Sequence, residues 1–406
     1  MKPFLGLSFF LVLVACGDTS SNTAPLDPLV VPNENAPMIA MGGDAVESAC
    51  VLAKDGKLLC FGHNGANQLG KAQADNDAHP TPEAPSGLAP AKHIDFGVFH
   101  ACAALLDGQV SCWGGDYVAG MMGDGTGQLK IAPTLLPALN NVEEVDLGAY
   151  FGCARHQDGG VSCWGDNRQA QLGLGMADDI PHDGAAPVPA LSGVSALALG
   201  SQHACALAPA STSEGGAAIF CWGESGQVQL GPFELGKASA PILPFEGPYP
   251  VEISAGGAFG CTRTNEGKVY CWGRNAIGQL GNGSQQDSAD LVLVPLEEPA
   301  ISIAAGENHA CAATERGHVF CWGQGSEGQL GSTSLDTCPN QDVVYGCVKK
   351  PLRVDISRAF RVHAGGSSTC AAVESGALLC WGRVGQARGI CKGMECAKPF
   401  ELETIP

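Results

Sequence analysis

The string Cys-Trp-Gly recurs along this chain at Cys112, Cys163, Cys221, Cys271, Cys321 and Cys380, and Cys60-Phe61-Gly62 is a seventh, altered copy. All six tryptophans of the 406 residues sit in this motif. Each copy has a partner cysteine upstream, at Cys50, Cys102, Cys153, Cys205, Cys261, Cys311 and Cys370; successive partners stand 52, 51, 52, 56, 50 and 59 residues apart. A period of this length marks one supersecondary unit stacked on copies of itself. Seven units of about fifty residues, each with room for about four short strands, predict an all-β fold: a seven-bladed β-propeller with four-stranded antiparallel blades. The 56 Gly and 26 Pro fit many short strands joined by tight turns. The 45% of apolar residues supplies a core and argues against disorder.

In six units the two cysteines are ten residues apart, and the residue after the midpoint is always glycine: Gly56, Gly108, Gly159, Gly267, Gly317 and Gly376. A three-residue hairpin loop, a type I turn followed by an αL residue, wants glycine there. Counting outward from that loop puts the cysteines directly opposite one another at a closely spaced, non-hydrogen-bonded pair. A disulfide needs that approach, with Cβ atoms about 3.8 Å apart. Cys205 and Cys221 are spread by an insertion, Pro209 to Ala218. Of nineteen cysteines, Cys16 is set aside below; seven hairpin pairs take fourteen, and Cys338 with Cys347 and Cys391 with Cys396 take the rest. Nine disulfides leave no thiol over, as expected in an oxidising compartment. Zinc would favour CxxC spacing, which does not occur.

A short apolar strand ending in glycine precedes each first cysteine, as in Ile253-Ser254-Ala255-Gly256. His100, His203 and His309 stand two residues before that cysteine, where other units carry other residue types, so a packing role is expected of them. After the tryptophan comes Gln-Leu-Gly, as in Gln68-Leu69-Gly70 and Gln171-Leu172-Gly173, read as a turn with one buried leucine. The run Ala305-Gly306-Glu307-Asn308-His309-Ala310-Cys311-Ala312, then Gly317-His318-Val319-Phe320-Cys321-Trp322-Gly323 and Gly328-Gln329-Leu330-Gly331, resembles the regulator of chromosome condensation repeat. The resemblance covers roughly 38–406 and implies a seven-bladed propeller.

The first fifteen residues read as a signal peptide: Lys2, an apolar run from Phe4 to Val14, then Leu13-Val14-Ala15-Cys16, which resembles the bacterial lipobox. That resemblance implies cleavage before Cys16 and a lipid on it, hence an exported chain anchored in the bacterial cell envelope. Residues 16–37 read as the lipidated cysteine and a flexible tether, and 38–406 as the propeller. Lys398-Pro399-Phe400-Glu401-Leu402 resembles the Pro-led strands that separate the units, and it is expected to complete the first blade and close the ring.

A formal charge of −19, from 22 basic and 41 acidic groups, repels phosphate backbones and argues against nucleic acid. There is no nucleophile elbow, HExxH, P-loop or GxGxxG, so no catalytic, cofactor or metal site is assigned. Asp75-Asn76-Asp77 and Asp178-Asp179 lack the ligand spacing of a calcium loop, and His79, His182 and His363 stand singly. The repeat family's founding member exchanges guanine nucleotide on a small GTPase, but no exchange-active residue can be matched here, and that role would be analogy of fold. The expected function is a non-enzymatic scaffold that binds an envelope protein or glycan through the variable loops, 71–87, 175–190, 209–218, 282–291 and 332–350. A glycan-active site with carboxylates facing each other across the channel is the alternative. The second unit departs most from the pattern; Met122 there takes the leucine position, and Tyr117 and Met121, if exposed, are interface candidates.

Overall fold

The computed structural model describes residues 29–33, 36–42, 47–72, 75, 77–115, 120–189, 191–210, 216–231, 237–245, 249–340 and 343–402. Each sequence unit forms one blade. Blades 1 to 7 span 38–83, 91–135, 142–187, 196–245, 250–293, 300–354 and 359–402. Within a blade the strands pair in chain order, inner, second, third and outer, as an antiparallel meander. Blade 6 adds a fifth strand, Asp336–Asn340, paired with the extension of its outer strand, Val343–Val354.

The cysteine register is as the spacing requires. Cys50 lies opposite Cys60, and the same pairing recurs through Cys370 and Cys380. Cα–Cα separations across the seven hairpin bridges are 4.0–4.1 Å. Cys338–Cys347 and Cys391–Cys396 are the other two bridges. The hairpin glycines have positive φ, for example 85° at Gly56 and 90° at Gly376. Blade 4 keeps the register but runs longer, to Pro209 opposite Ala217.

Cys-Trp-Gly is constant because each position has a separate duty. The glycine after tryptophan takes φ near +100°, as at Gly273 and Gly323, where side chains are strained. The tryptophan rivets its blade to the one before. Trp222 Nε1 donates to the Gln171 carbonyl at 2.9 Å, Trp272 to Gln229 at 2.9 Å and Trp381 to Gln329 at 2.8 Å. All six indoles are fully buried, and a buried aromatic of this size removes about 150–250 Å² from water. Leu52, Leu58 and Leu69 of blade 1 meet Ile94, Phe96 and Leu105 of blade 2 around Trp113. Such shared clusters replace a single central core.

The exception, Phe61, follows from the same logic. Blade 7 has no Gln-Leu-Gly turn; a short helix, Arg383–Ala387, follows its third strand. With no turn carbonyl there to accept an indole N–H, blade 1 carries a ring without a donor. Arg388 stacks on that ring at 5.3 Å.

The expected closure is corrected here. Phe400–Leu402 pairs with Leu378–Gly382 as the outer strand of blade 7, not of blade 1. Blade 1 takes its outer strand from Ala78–Glu83, the segment that follows it. The Pro-led strands therefore end units instead of starting them, and among the described residues no strand is exchanged between the chain ends. The ring closes by packing of Ile39, Met41 and Phe61 against Phe360, Leu378 and Val384. The last part of the expected tether is docked as well. Val30 N donates to the Glu315 carbonyl at 2.8 Å, and Asn33 Nδ2 to the Glu374 carbonyl at 3.2 Å.

Candidate functional site

Seven inner strands surround a central channel, and their free edges need partners for backbone groups that no strand pairs. Side chains of the preceding blade supply them. Asp95 accepts from Leu147 N at 2.8 Å, Glu252 from Ile303 N at 3.1 Å, Ser254 from Ala305 N at 2.9 Å and Ser302 from Val362 N at 3.3 Å. His93 Nδ1 lies 3.1 Å from the Val145 carbonyl. Polar residues at alternate positions of an inner strand thus face the next blade, as the period of two requires.

The channel opens into a cavity of about 680 Å³ at the end where the inner strands finish, here called the top. Asp95 and Asp146 line it, with Arg274, Glu307, Glu327 and Arg383 nearer the mouth. Burial pushes the Asp95 carboxyl up to about 6. Asp146 is raised well above the usual range by burial and by the neighbouring Glu144 and Asp95 carboxylates. Glu47, 4% exposed at the seam between blades 7 and 1, is pushed up to about 8 by burial. His100, His203 and His309 are wholly buried, and burial lowers them to about 3, 4 and 4, so they pack as neutral rings.

These shifts set opposite pH dependences. The unfolded chain ionises Glu47 above the ordinary value of 4.5, whereas the folded chain holds the proton to about 8. Glu47 therefore lowers stability progressively as pH rises through that window. Glu47→Gln is expected to melt with the wild type near pH 4 and above it at pH 8, by a few kcal/mol at most. Thermal melts of both proteins against pH check this. A constant difference across the range would refute it. The histidines act the other way: protons bind the unfolded chain below pH 6.5, so their share of stability is lost on acidification.

The rim of the top mouth is built by the least repetitive segments. The blade 6 hairpin, 336–354, is clamped by Cys338–Cys347 and packs on Ile277 of blade 5. It places Tyr345 at the mouth and leaves Val343 and Val344 51% and 65% exposed at its tip. On blade 7 the Cys391–Cys396 bridge follows the helix at 383–387. The docked segment 29–33 lies at the other end, beside the hairpin turns of blades 6 and 7 and a second cavity lined by Glu252, Arg263 and Arg361.

Of the residues expected to matter, Cys16 and Tyr117 lie outside the described residues. Met121 is corrected as an interface candidate. It is fully buried and takes the Gln position, its carbonyl accepting from Trp164 Nε1 at 3.2 Å, while Met122 is buried in the leucine position. Asp75 and Asp178 are tied into their own loops: Asp75 to His79 at 2.6 Å and to Asn64, Asp178 to His182 at 3.0 Å and to Asn167. His363 is part-buried, and its Nε2 has no hydrogen-bond partner among the described residues. It sits on the inner strand of blade 7, and burial lowers it to about 3. Asp95, Glu144 and Asp146 sit together on the inner strands of blades 2 and 3, and Glu307 and Glu327 line the cavity from blade 6. His93, Asp95, Glu144 and Asp146 were missed, although the alternation His-x-Asp and Glu-x-Asp was there to read.

Two models of the regulator of chromosome condensation (RCC1) repeat match the chain, one at 142–171, 251–279 and 300–329, the other at 266–313 and 316–372. The mitochondrial RCC1 domain-containing protein RUG3 of Arabidopsis thaliana is 31% identical over 242 residues, 57% of this chain and 52% of that protein. The human probable E3 ubiquitin-protein ligase HERC6 is 29% identical over 215 residues, 50% of this chain and 19% of that protein. The chain spans about half or less of the length of these curated relatives. Among solved structures, Prp20p from Saccharomyces cerevisiae, whose report covers its binding to Gsp1p and histones, is 21% identical. It superposes with a TM-score of 0.71 over 93% of this chain and 88% of that one. Human WBSCR16 is 19% identical with a TM-score of 0.69, covering 82% and 86%. The chain is thus a seven-bladed β-propeller in which regulator of chromosome condensation repeats are matched at 142–171 and across 251–372, with a disulfide-bridged cysteine pair in every blade.

Proposed function

We propose that this chain is an envelope-anchored, non-catalytic scaffold that binds a protein or glycan on the top face of its propeller. The observation that carries the reading is the blade 6 hairpin. A disulfide and the Ile277 contact hold it rigid, and its tip offers Val343 and Val344 to solvent beside Tyr345. A rigid apolar tip binds without an ordering cost, which is where much binding energy is otherwise lost. The anchor reading rests on the lipobox-like Leu13-Val14-Ala15-Cys16. The chain enters the disc at residues 29–33, so a lipid at Cys16 would tether the disc from the end opposite the top rim.

Cys16→Ala is expected to move the protein from the membrane fraction to the soluble one and to abolish labelling with fatty acid. The Val343→Asp/Val344→Asp variant is expected to keep its melting temperature, since both side chains are more than half exposed. It should also lose at least tenfold in capture of the partner that the wild-type chain retains from its own envelope. Undiminished capture by that variant would move the binding surface off this rim.

A further inference from the structure

We propose that His93, Glu144 and Asp146 form a binding site for a divalent transition-metal ion, of which zinc matches the donor set best, in the channel wall between blades 2 and 3. One ligand atom from each residue lies within 4.8 Å of the others. Around a tetrahedral zinc such atoms stand about 3.3 Å apart, so small side-chain rotations close the set. The backbone beneath is fixed. Glu144 and Asp146 are alternate residues on the inner strand of blade 3, and His93 sits on that of blade 2, within a disulfide-clamped sheet.

Each donor is prepared in a different way. His93 Nδ1 donates to the Val145 carbonyl, which leaves the lone pair on Nε2, the outer-shell arrangement typical of ligating histidines. Arg155 Nε holds Glu144 Oε2 at 2.6 Å, orienting that carboxylate and leaving Oε1 for a ligand. Asp146 accepts no hydrogen bond from any described residue and lines the channel cavity near the Asp95 and Glu144 carboxylates. Asp95 is already committed to Leu147 N. The cluster holds two acids against one guanidinium, that of Arg155, so a divalent ion would meet an electron-rich donor set. Of the three, Asp146 lines the channel cavity, and a fourth position on that side would take water or a ligand's carboxylate. The surface pairs Asp75–His79 and Asp178–His182 differ in kind, because there the carboxylate bonds the imidazole directly and, among the described residues, no second acid completes a cluster of three.

Calorimetric titration of the oxidised full chain with Zn²⁺, and optical titration with Co²⁺, test the site. One ion per chain at micromolar affinity is expected, with Co²⁺ showing the absorption of nitrogen and oxygen ligation and Zn²⁺ raising the melting temperature. His93→Ala and Asp146→Asn should each weaken binding at least tenfold. The control Asp75→Asn/His79→Ala should leave it unchanged. Asp146→Asn removes a repelled, sunken charge and is expected to melt at or above the wild type, which separates lost binding from lost fold. Absence of saturable binding up to millimolar metal would overturn the proposal, as would stoichiometric binding that survives the His93→Ala/Asp146→Asn double variant.

Discussion

Reduction of the seven hairpin disulfides is expected to lower the melting temperature by tens of degrees, yet native protein should resist it. Each bridge closes a ten-residue loop in six blades and a sixteen-residue loop in blade 4. In the chain-entropy model a loop of that size contributes about 3 kcal/mol, short of additive over seven. The sulfurs are sealed between blades, with every hairpin cysteine at most 1% exposed. A reductant must therefore wait for opening. Cys391–Cys396 is different, because Cys391 is partly exposed in a short surface segment. Timed alkylation and mass mapping in mild reductant, without denaturant, should show Cys391–Cys396 opening first and the hairpin bridges last. Uniform, rapid loss of all nine would contradict the sealed-blade account. A single substituted pair, Cys153→Ala/Cys163→Ala, should cost about 3 kcal/mol.

Gly256→Val is expected to destabilise the protein by about 3 kcal/mol or more, because the ring cannot widen at one blade without opening at the next. A Cβ at Gly256 would lie 2.6 Å from the Gly306 carbonyl oxygen of the following blade, and it would run into the buried Phe259 ring. The same contact runs on around the channel: a Cβ at Gly97 would meet the Gly148 carbonyl oxygen at 2.6 Å, and one at Gly148 that of Gly200 at 2.8 Å. The inner strands approach closest there, so any side chain is overpacking against backbone. Gly184→Ala is the control, since an added Cβ there meets nothing within 4 Å. Its effect should stay within about 0.5 kcal/mol. Equal melting temperatures for Gly256→Val and Gly184→Ala would show that the ring does not need its glycines.

The parts of the fold that were legible in the sequence are those with one physical solution. Ten-residue cysteine spacing around a glycine admits one hairpin register, and six tryptophans in one motif imply one repeated contact. The blade frame was not legible. A Pro-led strand such as Lys130–Leu135 lies between two units, and only its hydrogen bonds to Val110–Gly114 assign it to the earlier one. The C-terminal strand inherited that ambiguity. Met121 misled because the second unit replaces the glutamine of the turn, and the backbone carbonyl that binds Trp164 is independent of side chain. The channel residues were overlooked because inner strands read as apolar, while their alternate polar positions serve the next blade rather than their own.

Photocrosslinking in the producing organism locates the binding face, with a photoreactive side chain placed at position 344 on the top rim or at position 29 on the opposite end. Both positions are exposed, at 65% and 62%, so either should accept the probe without loss of fold. One discrete protein or glycan adduct is expected from position 344 and none of that species from position 29. An adduct formed only from position 29, or no adduct from either, would contradict a scaffold that binds through its top face.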